Sequence, residues 1–219
     1  MTPTHHPEPD MLMSYASGSL AEPMALLVAT HLALCPRCRR QVMQYEVIGG
    51  ALLEELPKEP VSTTALQQVL QRIQQPSRTP EEAASAVPPP REERLLPQPL
   101  RDYLGTDLDR LVWRGRGKLR EYRLLPQHDG FRTRLLKIRG GAAMPWHTHV
   151  GSELTMVFAG GFTDAHGHYR RGDVAVADAT VDHRPVADMG EDCICLAVTD
   201  APLRLTGFGA GLLNIFIKQ

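Results

Sequence analysis

Seven of the chain's eighteen prolines lie between residues 76 and 99 (Pro76, Pro80, Pro88, Pro89, Pro90, Pro97 and Pro99), interleaved with Glu, Arg, Ala and Ser. Such a stretch offers little apolar surface and few backbone donors, so it reads as an extended, polyproline-like tether that builds no core. In a chain of 219 residues it leaves two segments, 1–75 and 100–219, each of which must find its own packing. Their textures differ. Apolar residues recur at helical spacing before the tether, whereas short alternating runs punctuated by glycine follow it, which predicts an α+β protein. Hydrophobic residues make up 42% and charged ones 22%, enough for a core and too apolar for wholesale disorder. Lys plus Arg (24) balances Asp plus Glu (25), which argues against a protein that lives on the phosphate backbone of nucleic acid. No apolar run approaches the roughly 20 residues needed to cross a bilayer, and no basic-then-apolar leader opens the chain, so a cytoplasmic protein is expected. Four cysteines are too few for a disulfide scaffold, and in a reducing compartment paired Cys reads as metal-binding or redox-active.

The first segment predicts four helices. Asp10 is placed to cap the first, which carries Met11, Leu12 and Tyr15 and stops at Gly18. Glu22-Pro23 opens the second, with Met24, Leu27, Val28 and His31 along one stripe. The third starts near Pro36 and carries Val42, Tyr45, Leu52 and Leu53, with Gly49-Gly50 inside it as a stop, a kink or a point of close approach. Thr64 to Gln75 shows Leu66, Val69, Leu70 and Ile73 at amphipathic spacing. Leu52, Leu53, Leu66, Leu70 and Ile73 are therefore either this segment's own core or anchors for another protein.

His31-Leu-Ala-Leu-Cys35-Pro-Arg-Cys38 carries the chemistry of this segment. Four residues of separation stack His31 and Cys35 on one helix face. Pro36 bends Cys35 out of helical geometry and starts the next helix, so Cys35 and Cys38 form a knuckle. Three such donors ask for a fourth to close a tetrahedral structural zinc site. His5 and His6 are the upstream candidates, and His6, nearer the first helix, is preferred.

The second segment holds Trp146-His147-Thr-His149-Val-Gly-Ser-Glu153. On a strand, alternation aims His147 and His149 into one cavity, and Glu153 opens the next strand after a turn at Gly151. His183 follows eleven residues after Gly172. Three imidazoles and a carboxylate suit zinc, and also iron, manganese or nickel. His166-Gly167-His168 reads as a hairpin turn. Cys193 and Cys195 share a strand face; they read as buried thiols, or as a redox pair close to the metal.

Two resemblances follow from these motifs. His6 with His31-x3-Cys35-x2-Cys38 in a four-helix segment resembles the zinc anti-sigma domain of bacterial ChrR-type anti-sigma factors. Gly141, His147-x-His149, Glu153 and Gly160, then Gly172 and His183, resemble the two motifs of the cupin family, although Asp178, Thr180 and Ala187 replace its usual Pro, Gly and Asn. The resemblance implies residues 1–75 as a zinc anti-sigma domain, 76–99 as a linker and 100–219 as a metal-binding sensor in an antiparallel cupin β-barrel. It also implies a 1:1 complex with an extracytoplasmic-function-type sigma factor, released on oxidative stress such as singlet oxygen or organic peroxide. A metal-dependent cupin dioxygenase or isomerase with a helical oligomerisation domain is the alternative; no catalytic base beyond the metal ligands stands out, so a regulator rather than an enzyme is expected.

Overall fold

The computed structural model describes residues 2–74, 95–128 and 130–206. Most of the proline-rich tether, residues 75–94, therefore lies outside the described residues, as does the chain after residue 206. Four helices precede the tether: α1 (Pro9–Ala16), α2 (Glu22–Leu34), α3 (Pro36–Glu54) and α4 (Ala65–Gln74); a fifth, α5 (Gln98–Leu104), follows it. Asp10 is not the cap of α1. Glu8 takes that position, and Asp10 sits in the first turn, where it complements the positive end of the helix. Pro9 explains the shift, since proline suits the first helical position and pushes the residue before it into extended backbone. The helix stops at Gly18, whose φ of +70° only glycine adopts without strain. Pro36 acts in the same way between α2 and α3, leaving Cys35 extended at φ −111°, ψ 100°. Gly49 and Gly50 lie within α3, with open space where a side chain would stand.

Eleven strands follow in the described residues: β1 (Leu119–His128), β2 (Phe131–Ile138), β3 (His147–His149), β4 (Glu153–Ala159), β5 (Gly161–Thr163), β6 (His168–Arg170), β7 (Val174–Ala177), β8 (Asp182–His183), β9 (Val186–Ala187), β10 (Cys193–Thr199) and β11 (Leu203–Leu205). They form three antiparallel sheets, ordered β1-β2-β10-β4-β7, β11-β3-β8 and β6-β5-β9. Ile138, Val157, Cys193 and Cys195 from the large sheet pack against Phe162, Tyr169 and Ala187 from the small sheets, filling a barrel interior.

The outer face of the large sheet is covered as well. Leu154, Met156, Phe158, Leu196 and Val198 are buried there with Met24, Leu26 and Leu27 of α2 and Leu100 and Leu104 of α5. Burial on both faces is why β4 and β10 are almost uninterrupted apolar runs rather than clean alternations. Helix α2 has the same character for the same reason. One side lies on the sheet, while Val28, Leu32 and Cys35 face Leu12, Cys38 and Val42. An element covered on two sides must be apolar nearly all round.

The packing divides the chain into two compact units, residues 1–47 with 95–219, and residues 48–94. Leu96, inside the proline-rich stretch, is buried, because Leu95-Leu96 supplies apolar surface that the composition of residues 76–94 does not. In the second unit the apolar side chains of α4 find no cover. Leu66, Leu70 and Ile73 are exposed, as are Leu52 and Leu53 at the end of α3. No helix among the described residues is long and apolar enough to cross a membrane.

Leu27 is fully buried where α2 meets the sheet. Leu27→Ala leaves a cavity there and should cost about 2–5 kcal/mol of stability, read as a lower denaturation midpoint at unchanged slope.

Candidate metal centres

The first cluster joins His6, His31, Cys35 and Cys38, whose donor atoms all lie within 4.8 Å of one another. His31 Nε2 is 3.3 Å from Cys38 Sγ, and His6 Nδ1 is 3.4 Å from Cys38 Sγ and 3.5 Å from Cys35 Sγ. A tetrahedral zinc ion, with Zn–S of about 2.3 Å and Zn–N of about 2.1 Å, sets donor-to-donor edges of roughly 3.3–3.8 Å. Three of the six edges fall within that range, and the cluster fits a zinc site. Among the two upstream candidates it is His6 that joins the cluster. His5 points away, with Nδ1 3.6 Å from an Asp173 oxygen and its ring 4.5 Å from that of Tyr169.

Protonation chemistry supports the same reading. Nδ1 of His31 lies 2.8 Å from the Gly172 carbonyl, which can only accept, so Nδ1 carries the proton and Nε2 offers its lone pair. Burial holds His31 down at about 4 and pushes the Cys38 thiol up to about 12 without an ion. A cation reverses the second effect by stabilising thiolate directly.

The second cluster joins His147 and His149 of β3 with His183 of β8, all three buried. Strands β3 and β8 pair His147 with His183, while alternation along β3 brings His149 to the same side. His183 Nε2 is 3.1 Å from His147 Nε2 and 3.2 Å from His149 Nε2. Nδ1 of His147 donates to the Pro145 carbonyl at 2.8 Å, and Nδ1 of His183 donates to Asp164 Oδ2 at 2.8 Å. With both Nδ1 atoms committed to those acceptors, the Nε2 atoms are the ones that converge, placed to share a cation. Burial keeps His147 and His149 below the ordinary histidine value, in the neutral form that ligates. Glu153, read from the sequence as a further donor, is outside this trio; its carboxylate accepts from Thr155 Oγ1 at 3.2 Å. It lines, with His147 and His183, a mainly apolar cavity of about 140 Å³ walled by Leu136, Ile138 and Phe162.

Asp178 and Thr180, the departures in the second cupin-like motif, build their own turn. Asp178 Oδ1 accepts from the Thr180 N–H at 2.8 Å and from its hydroxyl at 2.5 Å, and His183 still arrives in place. Cys193 and Cys195 both face the barrel interior, and Cys195 also lines the cavity. The neighbouring Cys193 thiol and burial push Cys195 well above the ordinary thiol value, which keeps it protonated.

The hold of Asp164 on a candidate ligand escaped the reading of the sequence. Asp164 opens the hairpin between β5 and β6, where Oδ1 accepts from the N–H groups of His166 (2.8 Å) and Gly167 (3.1 Å) while Oδ2 holds His183. His166-Gly167-His168 is thus a turn, and its first function is to shape the carboxylate behind a candidate ligand. The Asp-x-x-Gly spacing was legible as a turn, but its second contact spans 19 residues and has no local signature.

Comparison with known proteins places this architecture. Residues 104–202 match the model of the ChrR Cupin-like domain. A curated relative from Cereibacter sphaeroides, "Anti-sigma-E factor ChrR", is 39% identical over 218 residues, covering all of both chains. This chain belongs to the ChrR anti-sigma factor family. The crystal structure of Rhodobacter sphaeroides SigE in complex with the anti-sigma ChrR matches 91% of this chain and all of that one, with 38% identity and a TM-score of 0.77. A cupin protein from Ralstonia eutropha matches 46% of this chain and 70% of its own, with 21% identity and a TM-score of 0.39. The likeness to ChrR therefore spans both the helical segment and the barrel of this chain.

Asp164→Ala frees the His183 ring to rotate, and changes of this kind cost about 10–100-fold in metal affinity. Titration of the barrel site against a competing chelator should show that loss, with the first site unaffected. At the first site Cys35 and Cys38 both ligate as thiolates, so loading near neutral pH expels a proton from each thiol. Affinity should therefore rise with pH by up to about a hundredfold per unit, and fall further under acid once His31 is protonated. Chelator competition across neutral pH checks the slope.

Proposed function

We propose that this chain is a zinc-dependent anti-sigma factor. Its helical zinc segment holds an extracytoplasmic-function-type sigma factor away from core RNA polymerase in a 1:1 complex, and its metal-bearing barrel senses the signal that ends the complex. The likeness along the whole chain to a protein whose structure contains SigE carries this reading. The clustered donor set His6, His31, Cys35 and Cys38 supports it. Zinc held by these four fixes α2 to α3 and to the segment before α1, supplying folding energy that a helical unit this small needs. The apolar faces left uncovered on α3 and α4, with Leu52, Leu53, Leu66, Leu70 and Ile73 exposed, are the anchors expected of a partner surface.

In this reading residues 1–75 bind, 76–99 tether and 100–219 sense, with the end of the tether from Leu95 and the helices of residues 1–47 packed in one unit with the barrel. His147, His149 and His183 hold the barrel ion, with Glu153 at the cavity wall as a further ligand. Zinc is the preferred ion; iron, manganese and nickel suit the same donors. The signal is oxidative stress, from singlet oxygen or organic peroxide, and the protein works in the cytoplasm, where the polymerase is. Bound zinc at the first site supplies rigidity, and an ion in the barrel supplies a ligand set that a signal can rearrange.

Two sets of variants separate the roles. Cys38→Ala should lose stoichiometric zinc and fail to capture its sigma factor in co-purification. His147→Ala, His149→Ala and Glu153→Ala should still capture it, yet no longer release it when oxidant is added. Loss of capture in the barrel variants would overturn the division of labour. A wild-type chain that binds no sigma factor and turns over a small substrate would overturn the regulatory reading altogether.

A further inference from the structure

His6 differs from the other three donors of the first cluster. His31, Cys35 and Cys38 sit on α2, α3 and the joint between them, whereas His6 comes from the irregular segment before α1. No helix or strand fixes that segment. Its anchor is the turn between β6 and β7 of the barrel. Asp173, 3% exposed, accepts at Oδ1 from the backbone N–H of Thr4 (2.6 Å) and of His5 (3.0 Å), and from the Thr4 hydroxyl at 3.3 Å. Its Oδ2 accepts from the Arg170 N–H at 2.8 Å, which ties the carboxylate to its own turn. The Val174 N–H donates to the His5 carbonyl at 3.2 Å. Pro3 lies so close to Gly172 that a Cβ there would stand 2.7 Å from its Cγ, and Gly172 itself has φ +89°. The same turn reaches a second donor, because the Gly172 carbonyl accepts from His31 Nδ1.

We propose that the Gly172–Asp173 turn of the barrel is the outer shell of the helical metal site, with Asp173 a positioning residue that presents His6 and the Gly172 carbonyl orienting His31. The proposal rests on the first cluster holding a metal ion. It means that the helices alone do not complete the site: one of four ligands and the orientation of another depend on the barrel. It also supplies a physical route between the two centres. Gly172 N–H donates to the Val157 carbonyl at 2.8 Å, and the Val157 N–H donates to the Asp173 carbonyl at 3.1 Å. Val157 lies on β4, faces the barrel interior and pairs with Cys195. A rearrangement at the interior face of β4 thus reaches two ligands of the helical site through one residue and one turn.

Cobalt(II) in the full-length chain is the probe, because thiolate-to-cobalt charge-transfer absorption reports Cys35 and Cys38, and the histidine trio contains no thiolate. Chelator-driven loss of that absorption should be about 10–100-fold faster in Asp173→Ala than in the parent. Asp173→Asn keeps one accepting oxygen and should fall between them. Deleting Thr2, Pro3 and Thr4 attacks the same contact without touching the barrel and should speed the loss too. The two changes combined should speed the loss by less than the product of the single effects, since both remove the Thr4 bonds to Asp173. Leu135→Ala, in the core on which α2 packs, controls for general destabilisation and should speed the loss less than Asp173→Ala does. Parent-like rates in both Asp173→Ala and the deletion, or rates that multiply in the combination, would overturn the proposal; if Asp173→Ala does not fold, the deletion decides. A parent chain that never develops the charge-transfer band would instead refute the metal reading, and the inference with it.

Discussion

Buried donors that converge on one point are built to share a cation. Two imidazole Nε2 atoms stand 3.1 Å apart, each ring locked by a hydrogen bond at its other nitrogen, so neither can turn away from that gap. Two thiols and two imidazoles drawn together at 3.3–3.5 Å show the same convergence in a different chemical class. Burial favours an ion there, since neither thiolate nor imidazolium is tolerated alone in an apolar setting. Much of the local architecture serves these two points: a proline that ends α2 at Cys35, a three-residue strand for His147 and His149, and a hairpin shaped to carry Asp164.

Helix α2 joins the two chemistries. It lies between the outer face of the five-stranded sheet and the small core that α1 and α3 share with the cysteines. Leu27 belongs to the first environment, and Val28, one residue later, to the second. His31, another turn along, is a donor in the helical cluster and a hydrogen-bonding partner of the barrel. A helix placed like this cannot shift against the sheet without moving a metal ligand. Residues 1–47 and the barrel belong to one packed unit, so the helical cluster and the histidine trio are in mechanical contact beyond what a tether supplies.

How legible this was in the sequence varied with the range of the interactions. The joint at Cys35-Pro36 was plain, because the steric demand of proline acts on its immediate neighbour. Helix α4 was plain as well, since Leu66, Val69, Leu70 and Ile73 fall at helical intervals. The cap of α1 was misplaced because Asp10 and Glu8 are both acidic and close, and Pro9 decided between them. Harder still was α2, whose apolar residues read as one stripe. Its second buried side exists because a sheet more than a hundred residues later covers it.

The candidate ligands themselves belong to the local class. Donor identity, the four-residue and three-residue steps from His31 to Cys38, and the alternation of His147 and His149 are properties of adjacent residues in regular backbone, and the amino-acid order determined them. Their supporting contacts belong to the tertiary structure. Asp173 holds residues 4 and 5, Asp164 holds His183, and Glu153 lines the cavity beside His147 and His183. Hydrogen bonds bridging 19 or 169 positions leave no periodicity to read, because their geometry exists only after the sheets have closed and the helices have docked.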